Sequence, residues 1–214
     1  MKKSILPLTL GGLGIGTTEF VMMGVLPDVA SDFNISIPEA GHLISAYALG
    51  VVIGAPLLVA ISSNFAPKKI LWTLMVMFTV FNALSAFAPN NTTLLMARLL
   101  SGLPHGAFFG VGSVVASRLA EKGKVAQTIS LMFAGLTVAN LLSVPLGTYI
   151  GHHYSWRYTF GMIALIGVAA PLITSDDPTA INPAGRNKAP GEEISFRNDD
   201  GQRVKKTVLM GTDG

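Results

Sequence analysis

Apolar residues gather into runs close to twenty long, separated by short polar links. At about 1.5 Å per helical residue each run can cross a hydrocarbon layer roughly 30 Å thick. Six such runs are read as spans: Ile5 to Leu26, His42 to Ile61, Ile70 to Phe87, Leu94 to Val115, Val125 to Tyr149 and Tyr158 to Thr174. Lipid-exposed backbone must satisfy its own hydrogen bonds, and the short alternating strands of a barrel do not occur in this pattern, so every span is expected to be helical. The expected fold is all-α, a polytopic bundle of six transmembrane helices over 1–174, followed by a polar tail over 175–214 that is expected to be disordered on composition.

The links set the direction. Lys2 and Lys3 precede the first span, Lys68 and Lys69 separate the second and third, and Arg118, Lys122 and Lys124 separate the fourth and fifth. The links on the opposite side carry no Lys or Arg except Arg157, between the fifth and sixth spans. The positive-inside rule then places both termini in the cytoplasm of a multi-pass protein. Met-Lys-Lys followed by an apolar run also resembles the start of a secretory signal peptide, but the run is long enough to span and further spans follow.

Composition agrees with this reading. Of 214 residues 50% are hydrophobic and 13% charged, about half the charged share of a soluble domain, and mean hydropathy is +0.53. Nearly half of the charges fall after Thr174. The net charge of +3 is not gathered into a basic face interleaved with aromatics, so nucleic acid is not an expected partner. Without cysteine there is no disulfide or thiolate chemistry. No Ser/His/Asp set, phosphate loop or metal-ligand spacing is found, so neither an enzyme nor a bound cofactor or metal is expected. The lipid bilayer is the expected partner on composition.

Small residues recur at four-residue spacing, which keeps them on one helical face and lets two backbones approach. Gly102, Gly106 and Gly110 form one series and Gly135, Ala139, Ser143, Gly147 and Gly151 another, with shorter pairs at Gly12/Gly16 and Gly50/Gly54. These are expected helix-contact seams. Pro104 and Pro145, inside the fourth and fifth spans, each remove a backbone donor and favour a kink.

One carboxylate interrupts the first span. Glu19 lies about 21 Å along the helix from its inner end, too deep to reach either interface, and an ionised group there costs about 2.5 to 3.5 kcal/mol unless it faces a polar cavity, a cation or a proton. Arg98, early in the fourth span, lies at a similar depth and is the candidate partner, with either a structural ion pair or a proton and solute site as the outcome. His105 is read as a packing residue in preference to a relay group, His152 and His153 lack further metal ligands, and Asn82 and Asn140 either line a polar cavity or bridge helices.

Thr17-Thr-Glu-Phe with Gly24 and Leu26-Pro27, Ser45-Ala-Tyr-Ala-Leu-Gly-Val-Val-Ile-Gly-Ala-Pro56, Arg98-Leu-Leu-Ser-Gly-Leu-Pro-His-Gly106 and Val144-Pro-Leu-Gly-Thr together resemble the amino-terminal half of bacterial drug/proton antiporters of the major facilitator superfamily, notably the sugar-efflux type linked to arabinose. The resemblance covers about 1–174. It implies half of a twelve-helix fold, two three-helix repeats, proton-coupled efflux of a small sugar-like or drug-like solute, and a bacterial inner membrane. It also implies a coupling and solute cavity with Glu19, Arg98, Thr17, Thr18 and Asn140, an antiporter and packing motif with Gly102, Gly106, Gly135, Pro145 and Gly147, and a gating loop with Lys68 and Lys69. Several positions depart from the family pattern: the gating loop Ser62-Ser-Asn-Phe-Ala-Pro-Lys-Lys69 keeps only its lysines, Ser101 stands where glutamine is usual, and Val144 where glycine is usual. After Leu172 the chain is unlike a recognisable family continuation. Two readings follow for a half-length chain: it pairs with a copy of itself or with a separate second half to transport, or it is an inactive or structural membrane fragment.

Overall fold

The computed structural model describes residues 5–62, 65, 67–121, 123–173, 193–197 and 203–207. Each apolar run is a helix: α1 (Leu6–Asp32), α3 (His42–Ser62), α4 (Pro67–Ala86), α5 (Asn91–Leu119), α6 (Val125–His153) and α7 (Trp156–Ile173), with a single turn, α2 (Ile37–Ala40), between the first two. Among the described residues five helices, with α2 counted into the second, are long and apolar enough to cross a membrane, and α7 contributes a shorter apolar stretch over Trp156–Ala169. The helices overrun the apolar runs because polar residues complete their last turns outside the oily zone. On α1 that adds Pro27 to Asp32, and on α6 it adds Ile150 to His153.

Local chemistry sets the ends. Asn90 caps α5 by accepting the Thr93 amide at 2.8 Å, and Ser36 and Glu39 form a reciprocal capping box on α2, each satisfying donors the first turn leaves open. After α1 the chain turns through Asn34 with φ 52°, a left-handed conformation that asparagine tolerates better than most residues. α5 and α6 continue through Pro104 and Pro145.

Two long seams hold the bundle together: α1 lies along α6, and α3 along α5. On α6 all five small residues of the series, Gly135, Ala139, Ser143, Gly147 and Gly151, are buried. A methyl added at Gly135 would collide with the Thr9 carbonyl, and one at Gly147 with Val21. From the other side, Gly24 leaves only 2.6 Å between a would-be Cβ and the Val144 oxygen. The second seam is built from both sides in the same way. Gly50 and Gly54 lie against the Leu99 and Leu103 carbonyls, while Gly102 and Gly106 lie against the Tyr47 carbonyl and Ala55. Between lipid-embedded helices no hydrophobic force favours contact, so close backbone packing of this kind carries the association.

α4 fills the remaining side, packing on α7 and α5, and α1 also touches α7. Exchanging α1, α3 and α4 with α5, α6 and α7 in that order reproduces these main neighbour pairs, as three-helix repeats would. The helical part falls in one compact unit, Met1–Asp176, and Asp177–Gly214 in a second. Within the second unit β1 (Glu193–Arg197) and β2 (Arg203–Thr207) pair antiparallel, with Phe196 opposite Val204. Composition pointed to disorder for this tail. Polar and apolar residues alternate in Glu-Ile-Ser-Phe-Arg, a strand period, and this segment pairs with Arg-Val-Lys-Lys-Thr.

The seams predict a graded glycine scan. Gly54→Leu should lower stability by about 1 to 3 kcal/mol through overpacking, whereas Gly161→Ala, which meets nothing within 4 Å, should be neutral or slightly stabilising. Thermal unfolding of the purified protein in detergent, monitored by helical circular dichroism, reads both.

Candidate functional site

The second seam places Arg98. Gly102 lies one turn further along α5, and the contact of Gly102 with the Tyr47 carbonyl draws α3 in until the Tyr47 ring sits under the guanidinium, 4.3 Å from ring centre to Cζ. Phe160 from α7 approaches the same group at 5.6 Å. Arg98 is fully buried, where a lone cation is unfavourable, and two aromatic faces recover part of the lost hydration, about 2 kcal/mol or more per desolvated contact.

One edge of the guanidinium is anchored. Nη1 donates to the Thr18 carbonyl at 3.0 Å and to the Thr18 hydroxyl at 3.4 Å. The Thr18 hydroxyl in turn donates to Asn82 Oδ1 on α4, and the Asn82 amide donates to the Phe78 carbonyl at 2.8 Å. Thr18 and Asn82 are both fully buried, so a polar chain joins α5, α1 and α4 inside the bundle. The other edge is open: Nε and Nη2 have no hydrogen-bond partner. These two N–H groups form the fork that binds a carboxylate side-on.

Glu19 is the nearest acid in sequence, directly after Thr18. It is partly buried and within electrostatic reach of Arg98, as the matched depths led us to expect. Yet among the described residues no ion pair joins them within 4.0 Å; Thr18, not Glu19, holds the arginine. Thr17 turns its hydroxyl back to the Leu13 carbonyl at 2.8 Å. Asn140 is exposed on α6, one position past the seam residue Ala139, and is not brought into the Arg98 network. Gly102, Gly106, Gly135 and Gly147 all lie in the seams, while Pro145 is exposed. Lys68 and Lys69 open α4; Lys69 is exposed, and the Lys68 side chain lies outside the described residues.

Sequence reasoning did not single out Tyr47 and Phe160, because ring placement over a cation on another helix leaves no spacing signal. Asn82, left open between cavity and bridge, is a bridge. His105 packs as expected, with Tyr47 Oη 3.0 Å from its Nδ1 and its ring against Phe109.

A second polar cluster joins the C-terminal ends of α1 and α4 to the start of α7. Arg157 donates to Asp32 and, at 3.1 Å, to the Ala88 carbonyl, and stacks at 4.3 Å on Trp156, whose indole N–H also donates to Asp32 at 3.0 Å. The one basic residue on that side of the sequence is thereby neutralised. The Arg157 hydrogen bond, with a smaller contribution from Trp156, holds the Asp32 carboxyl below its ordinary range despite some desolvation.

A bundle of long apolar helices with a charged, hydrogen-bonded interior is a polytopic helical membrane protein. This chain belongs to the Major Facilitator Superfamily, whose pattern it matches over residues 8–208, past Thr174, where no continuation was recognisable in the sequence. It is 50% identical over 169 residues to the putative transporter AraJ of Escherichia coli strain K12, covering 79% of this chain and 43% of that protein. It is 49% identical over 164 residues to the inner membrane transport protein YdhP of the same strain, covering 77% and 42%. A chloramphenicol resistance protein of Streptomyces lividans is 31% identical over 163 residues, covering 75% and 42%. In fold, the E. coli xylose transporter XylE, in a partially occluded inward open conformation, superposes with a TM-score of 0.72 at 20% identity, covering 82% of this chain and 49% of that one. The chain thus spans less than half the length of these relatives and has the six-helix half of the transporter fold.

The Asp32 cluster gives a pH prediction. A carboxyl whose folded pKa lies below its unfolded value contributes stability that is present above the unfolded value and lost as pH falls through the folded one. Acid unfolding below about pH 4 should therefore be shallower in Asp32→Asn. At neutral pH the substitution should cost about 1 kcal/mol or less, since the pair is solvent-screened. Denaturation midpoints collected from pH 3 to pH 7, a range set to bracket an ordinary aspartate at about 3.9, test this.

Proposed function

We propose that this chain forms the coupling half of a proton-driven exporter in a bacterial inner membrane, with both termini cytoplasmic, moving a small sugar-like or drug-like solute outward in exchange for inward protons. The observation that carries the proposal is the open Nε/Nη2 edge of a buried Arg98 beside a half-buried Glu19. With Glu19 protonated, its neutral carboxyl has little claim on the cation, and Arg98 rests on Thr18 between Tyr47 and Phe160. Once the proton leaves, the carboxylate is drawn to the open fork, a charge-assisted bidentate pair that satisfies both groups. Proton occupancy thereby alternates with the Glu19–Arg98 pair, and because α1 and α5 carry the two partners, the exchange bears on the helices that flank the solute path.

The solute class is supported by the names of relatives: one is a chloramphenicol resistance protein and a fold neighbour is a xylose transporter. Alternating access in this superfamily uses two halves rocking about a midplane site, and the proposal assigns to this chain, which matches 42% to 43% of its relatives, one of those halves. A second reading, a structural or inactive membrane fragment, is favoured by the same coverage.

The test is export from vesicles with an imposed pH gradient, using radiolabelled xylose, arabinose and chloramphenicol as probes. The parent chain should export at least one probe in step with proton entry, and Glu19→Gln should lose gradient-driven export by about tenfold or more. Equal export by parent and Glu19→Gln would remove Glu19 from the coupling. A parent that crosslinks only as a monomer and carries no probe would establish the fragment reading.

A further inference from the structure

His105 plays no part in the exchange described above, yet it is tied to it by one side chain. Tyr47 offers its ring to the Arg98 cation at 4.3 Å and its hydroxyl to His105 Nδ1 at 3.0 Å. His105 lies seven residues beyond Arg98 on α5, about 10 Å along the axis, toward the end of the bundle that carries Arg118 and Lys124.

We propose that His105 is a second proton-binding group of this bundle, linked to Glu19 through Arg98 and positioned by Tyr47; the inference deepens, and rests on, the proton-coupled reading. The linkage is electrostatic. While Glu19 is protonated, the uncompensated Arg98 cation faces Tyr47 and opposes a second positive charge on the far side of that ring. When Glu19 gives up its proton and pairs with Arg98, the opposition is relieved and His105 takes up a proton. One proton leaves the Glu19 carboxyl and one arrives at His105 Nδ1, so the summed charge of the three groups is unchanged.

The contact accommodates both states of the ring. With Nε2–H imidazole, the Tyr47 hydroxyl donates to Nδ1. With imidazolium, Nδ1 donates to the Tyr47 oxygen, which needs only a rotation of the phenolic hydrogen. Apolar rings close the surroundings, since Phe109 lies 5.4 Å from His105 and stacks on Phe133 at 4.8 Å.

The ionisable groups facing this region are few. Tyr47 comes from α3, Arg98 from α5 itself and Glu19 from α1. The other ionisable residues of the six long helices are Asp28, Asp32, His42, Lys68, Lys69, Arg118, Tyr149, His152, His153, Arg157 and Tyr158, all within the first or last two turns of their helices. Arg98 and Glu19 are thus the charges placed to govern the occupancy of His105.

Nitrogen-15 histidine NMR of the full chain in lipid nanodiscs tests this, in a background carrying His42→Asn, His152→Asn and His153→Asn, three exposed positions. At about pH 6, the imidazolium fraction of His105 should fall about threefold or more when Glu19→Gln fixes the protonated form, as expected for a cation about 10 Å away losing its counter-charge. An unchanged fraction in Glu19→Gln would overturn the linkage. Tyr47→Phe keeps the ring under Arg98 and removes the hydroxyl; it should shift the tautomer balance of His105 without changing thermal stability by more than about 1 kcal/mol, and an unmoved tautomer would overturn the positioning role. No solute is needed for either measurement. Linkage without export in the vesicle assay would overturn the transport reading alone, and export without linkage would overturn the His105 assignment alone.

Discussion

Close approach of helix backbones at four-residue intervals is the constraint on which the rest of this molecule depends. Because lipid gives apolar side chains no reason to leave it, the helices approach most closely where missing side chains let main chains touch. The two seams, α1 on α6 and α3 on α5, therefore fix the bundle, and through it the interior. Gly102 illustrates the link: its lack of a Cβ lets the Tyr47 carbonyl come close, and the same approach puts the Tyr47 ring beneath Arg98 one turn away. A packing residue and a charge-holding residue are two consequences of one contact.

Arg98 is the least favourable group in the interior and the most connected. It draws on α1 through Thr18, on α3 through Tyr47, on α7 through Phe160 and, by way of the Thr18 hydroxyl, on α4 through Asn82. Five of the six long helices thus share in stabilising one cation, and any change in its partners is felt by all of them. Its Nε and Nη2 remain without a hydrogen-bond partner, so the network holds the charge on one edge of the guanidinium only. At the C-terminal end of α1, Asp32 accepts from Trp156 and Arg157, and Arg157 also donates to the Ala88 carbonyl, so this cluster ties the neighbouring ends of α1, α4 and α7.

The relatives frame what this architecture serves without fixing the solute. The fold is shared with a sugar transporter at 20% identity, and sequence similarity extends to a protein named for drug resistance. The chain matches less than half of each relative compared, so those names describe longer proteins than the part compared.

By itself the sequence determined the helices, their number and the seam faces, because span length, the need to satisfy backbone amides in lipid and the four-residue spacing of small side chains are local properties. It also marked Glu19 and Arg98, because charge within an oily run is conspicuous without any structure. Only the tertiary structure decided which groups meet: that Thr18 rather than Glu19 holds Arg98, that Tyr47 and Phe160 cover it, that Asn82 bridges helices and that Asn140 stands apart. Those pairings depend on how helices far apart in sequence rotate and slide against each other, to within the length of a hydrogen bond, and no spacing along one helix records that.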